Sequence, residues 1–174
     1  MKRRLLILTL LAALLSAVAS PLAGRVSAAP AAQSHPVAVA PHSHAAAFDK
    51  TRFVAHLAVA AFLIHYIYNK YKQGKLGRTH IFTDIKAAAA ALIAYHELKV
   101  AYGIANGSKS KTLQAIVAPM NALATSVSNM RSRLLHGDTS GVASVNGQQN
   151  SFQSMAKSNG YAYTDQQPSG FKGF

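Results

Sequence analysis

The clearest helical pattern in this chain is TLQAIVAPMNALATSVSNMRSRLLH, residues 112–136. Its large apolar side chains recur every three or four positions, at Leu113, Ile116, Val117, Met120, Leu123, Val127, Met130 and Leu134. The opposite face carries serine, threonine and asparagine, and Arg131 and Arg133 lie near the negative end of the helix dipole. The pattern predicts an amphipathic helix that ends before Gly137. We expect Pro119 to kink it, because proline has no amide hydrogen to donate.

Two further helices are predicted upstream, over Asp49–Gln73 and His80–Ile104, with Asp49 and Thr79 as their caps. The first is apolar around most of its circumference, because Val59 and Phe62 lie opposite its main apolar stripe. The second contains a run of alanines and has two apolar faces, which suits a middle helix packed on both neighbours. One face comprises Ile85, Ala89, Leu92, Ile93, His96, Val100 and Gly103, and the other comprises Ala87, Ala91, Tyr95, Leu98 and Tyr102.

Short connections near residues 74–79 and 105–111 predict that consecutive helices are antiparallel neighbours. The predicted fold class is therefore all-α, a small antiparallel bundle of about three helices over residues 48–136, with a disordered N-terminal linker and C-terminal tail. Residues 137–174 form that tail, since Gly, Ser, Asn and Gln dominate there. The tail contains the aromatic residues Phe152, Tyr161, Tyr163, Phe171 and Phe174, which could bind a surface or other chains. A solvated tail is the preferred interpretation.

The N-terminus has the three parts of a secretory signal peptide. Positive charges at residues 2–4 precede an apolar run at residues 5–19, and small residues lead to a preferred cleavage site after Ala28, with Ala19 as the alternative. An uncleaved anchor is the other interpretation, but the apolar run reaches only about 22 Å, short of a bilayer core of about 30 Å. We expect residues 1–28 to be removed and residues 29–47 to be a linker rich in Pro, Ala and His. The protein is therefore predicted to be secreted or held in the cell envelope.

Charge and composition bound the partners of the exported chain. Cleavage after Ala28 removes four of the 18 Lys and Arg residues, so 14 remain against 5 Asp and Glu, or about +9. Such a chain is attracted to polyanions, here anionic lipid or anionic wall polymers. Nucleic acid is not expected as a partner, because export separates the chain from it. The absence of cysteine from the sequence excludes disulfides and thiol chemistry.

The sequence predicts no cofactor, although five histidines are candidate metal ligands: His42, His44, His56, His65 and His96. The first two could hold a divalent ion weakly on the extended linker. His56 and His65 lie on opposite sides of the first predicted helix, so they do not share one ion there. His96 could face either of them across the bundle and ligate a metal or haem. The preferred interpretation is a core histidine that is hydrogen-bonded to a carbonyl or a tyrosine.

No catalytic residues are predicted, and we expect the protein not to be an enzyme. His96-Glu97 begins like the zinc-protease pattern H-E-x-x-H, but Val100 stands where the second histidine is required. Asp84 and Glu97 are the carboxylates of the second predicted helix and are too far apart in sequence to act as an acid–base pair. The sequence also contains no G-x-S-x-G motif and no phosphate-binding glycine loop.

Two short segments, AYHELK at residues 94–99 and GSKSKTL at residues 107–113, together with Pro119, resemble uncharacterised secreted proteins of actinobacterial type. The resemblance covers roughly half of the chain, residues 53–134. It implies export, a helical domain and a low-complexity tail. It implies no activity, so it assigns no role to any residue.

These patterns favour a secreted or envelope-associated helical protein that acts as an interaction or structural module for another protein, for itself or for an anionic surface. The alternative is a membrane-active or membrane-anchored basic protein, and the second alternative is a metal or haem binder that uses histidines. The predicted interaction surface consists of the surplus apolar side of the first helix and the lysines at its end, namely Val59, Phe62, Lys70, Lys72 and Lys75.

Overall fold

The computed structural model describes the backbone of residues 42–172 and the side chains of residues 49–172. The predicted signal peptide, most of the predicted linker and Phe174 lie outside these residues. The described part contains four helices and no strand: α1 (His42–Lys72), α2 (Ile81–Gly107), α3 (Lys111–Leu134) and α4 (Val142–Ser158). The prediction of an all-α fold is therefore confirmed.

The predicted number of helices and the predicted disordered tail are wrong. Residues 142–158 form α4, and its apolar side chains enter the same core as those of the other helices. The buried positions of α4 recur at helical spacing among polar residues, namely Val142, Val145, Gln149, Phe152 and Ala156. Burial of this narrow face stabilises a helix that its polar composition alone does not predict.

The starts of α1 and α2 differ from the predicted caps. α1 begins at His42, within the predicted linker, so Asp49 is an exposed residue inside the helix. α2 begins at Ile81, and His80 before it makes no side-chain cap hydrogen bond. α3 is capped as its sequence favours, because the Ser110 side chain accepts a hydrogen bond from the Leu113 amide. It continues through Pro119 to Leu134.

Each helix packs against two others, so the four form a closed ring of neighbours. α1 lies against α2 and α4, and α3 lies against the same two helices. Short connections make consecutive helices antiparallel. A contact between His56, 16 residues before the end of α1, and Glu97, 16 residues after the start of α2, agrees with this direction. α1 and α2 contain several buried alanines, which allow neighbouring helices to approach closely: Ala60, Ala61, Ala87, Ala90, Ala91 and Ala94.

Residues 159–172, here called the C-terminal segment, follow α4 and run back along α1. The amide of Gln166 donates a hydrogen bond to the carbonyl of Ala58, and the Tyr161 ring lies edge-on to the Phe53 ring at 5.3 Å. Tyr161 and Tyr163 are both 8% exposed. The aromatic residues of the predicted tail that the structure describes therefore belong to the fold itself.

Candidate functional site

The most apolar exposed surface of the described residues is the outward side of α2. Phe82 is 84% exposed, and Leu92 and Ile93 are 37% and 39% exposed. The residues between and beyond them are half-buried or exposed and follow helical spacing. We call this surface the outer α2 face, defined as Phe82, Ile85, Ala89, Leu92, Ile93, His96 and Val100. His96 is the one ionisable residue of the set.

The opposite side of α2 explains why the outer α2 face remains uncovered. It buries Ala87, Ala91, Leu98 and Ala101 against the core, where α1 and α3 pack. The two apolar faces that the sequence predicts for this helix therefore exist, but only one of them meets neighbouring helices. The second face consists of side chains that burial would stabilise, and it lies against solvent instead.

Positive charge surrounds the start of the outer α2 face. Residues 70–96 contain five Lys and Arg residues, Lys70, Lys72, Lys75, Arg78 and Lys86, and one acidic residue, Asp84, which is 2% exposed. Because that carboxylate is buried, it does not offset the exposed lysines. The Ile81 side chain, 59% exposed, adds apolar area beside Phe82. This end of the bundle therefore presents exposed apolar side chains next to basic residues.

The α1–α2 connection is shaped by two left-handed glycines and a buried acceptor. Gly74 has a φ of 64° and Gly77 a φ of 121°, values that residues with a side chain rarely adopt. The Gly77 amide donates a hydrogen bond to Asp84 Oδ1 at 2.9 Å. This contact ties the loop that carries Lys75 and Arg78 to the first turn of α2.

The α3–α4 connection lies against the same loop. A side chain at Gly137 would meet the backbone of Arg78 at about 3.0 Å, so glycine is required there both for space and for its φ of 70°. Asp138 accepts hydrogen bonds from Ser140, which lower the pKa of its carboxyl, and Arg133 lies 3.9 Å away. Leu135, 44% exposed, adds to the apolar surface of this end of the bundle.

The structure places the predicted interaction surface in three different environments. Phe62 is half-buried beneath the C-terminal segment, with its ring edge-on to Phe171 at 5.7 Å. Val59 packs against the core. Lys70 lies over the Tyr66 ring at 5.2 Å and Lys72 over the Tyr68 ring at 6.0 Å, whereas Lys75 is exposed. The three lysines are at the basic end of the bundle, and the apolar pair is partly covered by the chain itself.

The histidines that the sequence offers as ligands are not brought together. His56 Nδ1 lies 2.5 Å from Glu97 Oε2, and His65 Nδ1 lies 2.5 Å from Asp165 Oδ2. His65 Nε2 also lies 3.0 Å from Asn150 Oδ1, whereas His96 is exposed on the outer α2 face. Among residues 49–172 no group of three His, Cys, Asp or Glu side chains could hold a metal ion. The side chains of His42 and His44 lie outside the described residues.

The two histidine–carboxylate pairs join separate parts of the fold. His56 and Glu97 connect α1 to α2, and their side chains are 27% and 18% exposed. His65 connects α1 to Asp165 of the C-terminal segment and to Asn150 of α4. Their positions between elements indicate that these histidines hold the bundle and the C-terminal segment together.

One described helix, over Asp49–Lys72, is long and apolar enough to cross a membrane by length and composition. In the bundle five large apolar side chains of this helix, Phe53, Leu57, Leu63, Ile64 and Ile67, are at most 1% exposed. Much of the apolar content of α1 is therefore buried in the core of the bundle.

Over residues 42–172 the fold thus defines a class of protein, an all-α four-helix bundle whose outer α2 face is covered by none of the described elements. Comparison with known proteins takes the identification no further. No family model matches the chain, and no curated protein or solved structure shows detectable similarity to it.

Proposed function

We propose that this protein is an exported, non-enzymatic helical module that works by binding, and that the outer α2 face is its binding surface. The observation that carries the proposal is the largely apolar side of α2, from Phe82 to Val100, which the other described helices leave exposed or half-buried. Large exposed apolar patches on a folded protein mark interaction sites. The signal-peptide pattern at residues 1–28 supports export to the envelope or beyond.

The arrangement of the ionisable residues supports binding rather than catalysis. Glu97 and Asp165 each pair with a histidine between structural elements, and Asp84 is held by the loop amide of Gly77. Asp165 lines a surface pocket with Thr51 and Tyr163, but its carboxylate is already bonded to His65. The exposed charges of the described residues are mainly those of lysines and arginines, which attract anionic partners.

The binding surface proposed here lies on α2, not on the surplus face of α1 that the sequence suggests. Phe62 already has an aromatic neighbour from the C-terminal segment, and Val59 belongs to the core. Leu92 and Ile93 have no such cover and keep more than a third of their surface in solvent. The lysines of the predicted surface remain part of the proposal, because they lie beside the start of α2.

A sedimentation experiment with isolated envelope fragments tests this proposal. The mature chain and two variants, Leu92→Ser/Ile93→Ser on α2 and Met155→Ser on α4, are mixed with fragments that contain both membrane and wall. Met155 is a matched control, because it is a half-buried apolar residue on the helix diagonally opposite α2.

We expect wild type and Met155→Ser to sediment with the fragments and the α2 variant to remain soluble. Circular dichroism should find the α2 variant as helical as wild type, because Leu92 and Ile93 lie outside the core, and it also checks that Met155→Ser, whose side chain packs against the core, stays folded. Equal sedimentation of all three proteins would contradict the proposal, as would failure of the wild type to bind.

A further inference from the structure

The outer α2 face combines apolar area with positive charge, and this combination restricts its partner. We infer that it docks on an anionic lipid bilayer, so that Phe82, Leu92 and Ile93 enter the headgroup region while nearby lysines contact lipid phosphates. The inference rests on the proposed binding function of this face and names its partner. It concerns a protein lying on a membrane, not one that spans it.

The length of the face fits a helix that lies flat on a surface. From Phe82 to Val100 the helix rises about 27 Å. Apolar residues recur along that length on one side, at every third or fourth position. Interfacial helices bury such a face to a depth of about 5–10 Å at the boundary between headgroups and acyl chains. Behind it the bundle supplies rigidity, since the inner side of α2 packs against α1 and α3.

The charges flank the apolar side chains where lipid phosphates would lie. Lys86 follows Phe82 by one helical turn, and Lys75 and Arg78 precede it in the connecting loop. All three are exposed, whereas Asp84, the acidic residue of this region, is buried. Basic residues near an anionic membrane add to the affinity that apolar insertion provides.

Charge complementarity also argues against the other occupants of this face. A second copy of the chain would place two surfaces rich in Lys and Arg against each other, and like charges at an interface oppose association. An anionic wall polymer would satisfy the lysines but would leave Phe82, Leu92 and Ile93 against water. A bilayer with anionic headgroups satisfies both kinds of residue at once.

The first test measures binding to vesicles of equal parts phosphatidylglycerol and phosphatidylcholine, with pure phosphatidylcholine vesicles as the reference. It uses the mature chain, because the apolar run at residues 5–19 would itself bind lipid, and because the core runs from Phe53 to Tyr163. Binding should require the anionic lipid and weaken as salt is added.

Matched charge variants localise that binding. Lys75→Glu/Lys86→Glu removes two positive charges at the start of the face and should weaken the affinity at least about tenfold. Lys109→Glu/Lys111→Glu makes the same change of net charge at the other end of α2 and the start of α3. It should change the affinity by less than about threefold.

The second test uses the absence of tryptophan from the sequence. Phe82→Trp introduces a single tryptophan at the most exposed apolar position of the face, and Ser144→Trp introduces one on the exposed side of α4. On addition of the anionic vesicles, the emission of Phe82→Trp should shift to the blue and be quenched by brominated lipid. The emission of Ser144→Trp should remain unchanged.

The outcomes separate this inference from the proposed function. Envelope binding that depends on Leu92 and Ile93, together with no vesicle binding, would overturn the lipid assignment and leave the proposed function standing. A protein or wall polymer would then be the partner. Vesicle binding that is equal for both charge variants, or a shift at residue 144 and none at residue 82, would also overturn the inference. If the wild-type chain bound neither vesicles nor envelope fragments, both proposals would be wrong.

Discussion

Asp84 is a carboxylate with 2% of its surface exposed, in the first turn of a helix whose interior is mainly alanine. Its Oδ1 accepts a hydrogen bond from the Gly77 amide, and its Oδ2 has no hydrogen-bond partner among the described residues. Tyr163 is a second buried polar group, and its hydroxyl accepts a hydrogen bond from Gln149 at 3.0 Å. Single polar contacts of this kind help to hold the loop before α2 and the C-terminal segment against the helices.

Replacing Asp84 tests the loop contact. Asp84→Ala removes the acceptor and leaves the Gly77 amide unpaired, so the free energy of unfolding should fall by about 1–3 kcal/mol. Asp84→Asn keeps an oxygen acceptor and should lose less than half as much. Urea denaturation of both variants measures the difference, and equal losses in the two would contradict the role given to Oδ1.

The Tyr163 hydroxyl predicts how stability depends on alkaline pH. Burial raises its pKa above the ordinary value of 10.0, so the folded chain keeps the proton at a pH where the unfolded chain releases it. The resulting stability is complete below pH 10.0 and is lost as the pH rises further. The melting temperature of Tyr163→Phe should therefore fall less steeply than that of wild type above this pH. Parallel curves for the two proteins would contradict the assignment.

At the scale of single elements, α3 and α4 show what sequence can and cannot predict. The α3 pattern predicts its helix closely, because eight large apolar residues repeat without interruption. In α4 the same spacing is present but is formed by Val142, Val145, Gln149, Phe152 and Ala156, a set that includes a buried glutamine and an alanine. Its Gly, Ser, Asn and Gln composition hides that pattern, and only the groove between α1 and α3 makes its burial favourable.

Phe152 distinguishes a packed α4 from a solvated tail. The side chain is 2% exposed, so Phe152→Ala should lower the free energy of unfolding by about 3–5 kcal/mol. Ser151→Ala, at the exposed neighbouring position, should change it by less than about 0.5 kcal/mol. Chemical denaturation followed by circular dichroism gives both values. A neutral Phe152→Ala would mean that α4 does not pack as described.

Removing the C-terminal segment tests whether it covers apolar side chains of α1. A chain that ends at Ser158 loses the contacts of Tyr161 with Phe53 and of Phe171 with Phe62. We expect it to melt at a lower temperature and to bind an apolar dye more strongly than the full chain. Lys172→Ala, at an exposed position of the same segment, should change neither property. Unchanged melting and dye binding in the truncated chain would contradict the contacts described for this segment.

The outer α2 face, like α4, was only partly predictable from the sequence. Periodicity identifies two apolar faces on α2, but it does not decide which of them neighbours will cover. It also marks Val59 and Phe62 as surplus, because nothing in a helical pattern indicates that Phe171, more than a hundred residues later, returns to Phe62. The lysines at the end of α1 are placed correctly by sequence alone, since an exposed helix end follows from the glycines after it.

At the scale of the whole molecule, charge and apolar surface are unevenly distributed. The chain has 18 Lys and Arg residues against 5 Asp and Glu. Four of those acids, Asp84, Glu97, Asp138 and Asp165, already accept hydrogen bonds or pair with a histidine within the chain. Lys75 and Lys86, the exposed lysines on either side of the start of α2, pair with none of these carboxylates and are available to a partner. The uncovered side of α2 adjoins them, so one end and one side of the bundle form a single basic and apolar surface.

The central claim is that the binding surface lies on α2 rather than on α1. Because the sequence contains no cysteine, single introduced cysteines can test this claim directly. Single cysteines placed at Leu92, at Phe62 and at Ser144 can be labelled with a maleimide before and after envelope fragments are added. The account predicts that the fragments slow the labelling of Leu92→Cys at least about tenfold, a difference equivalent to about 1.4 kcal/mol, and leave the other two rates unchanged. Protection at residue 62 or 144 with none at residue 92 would contradict it.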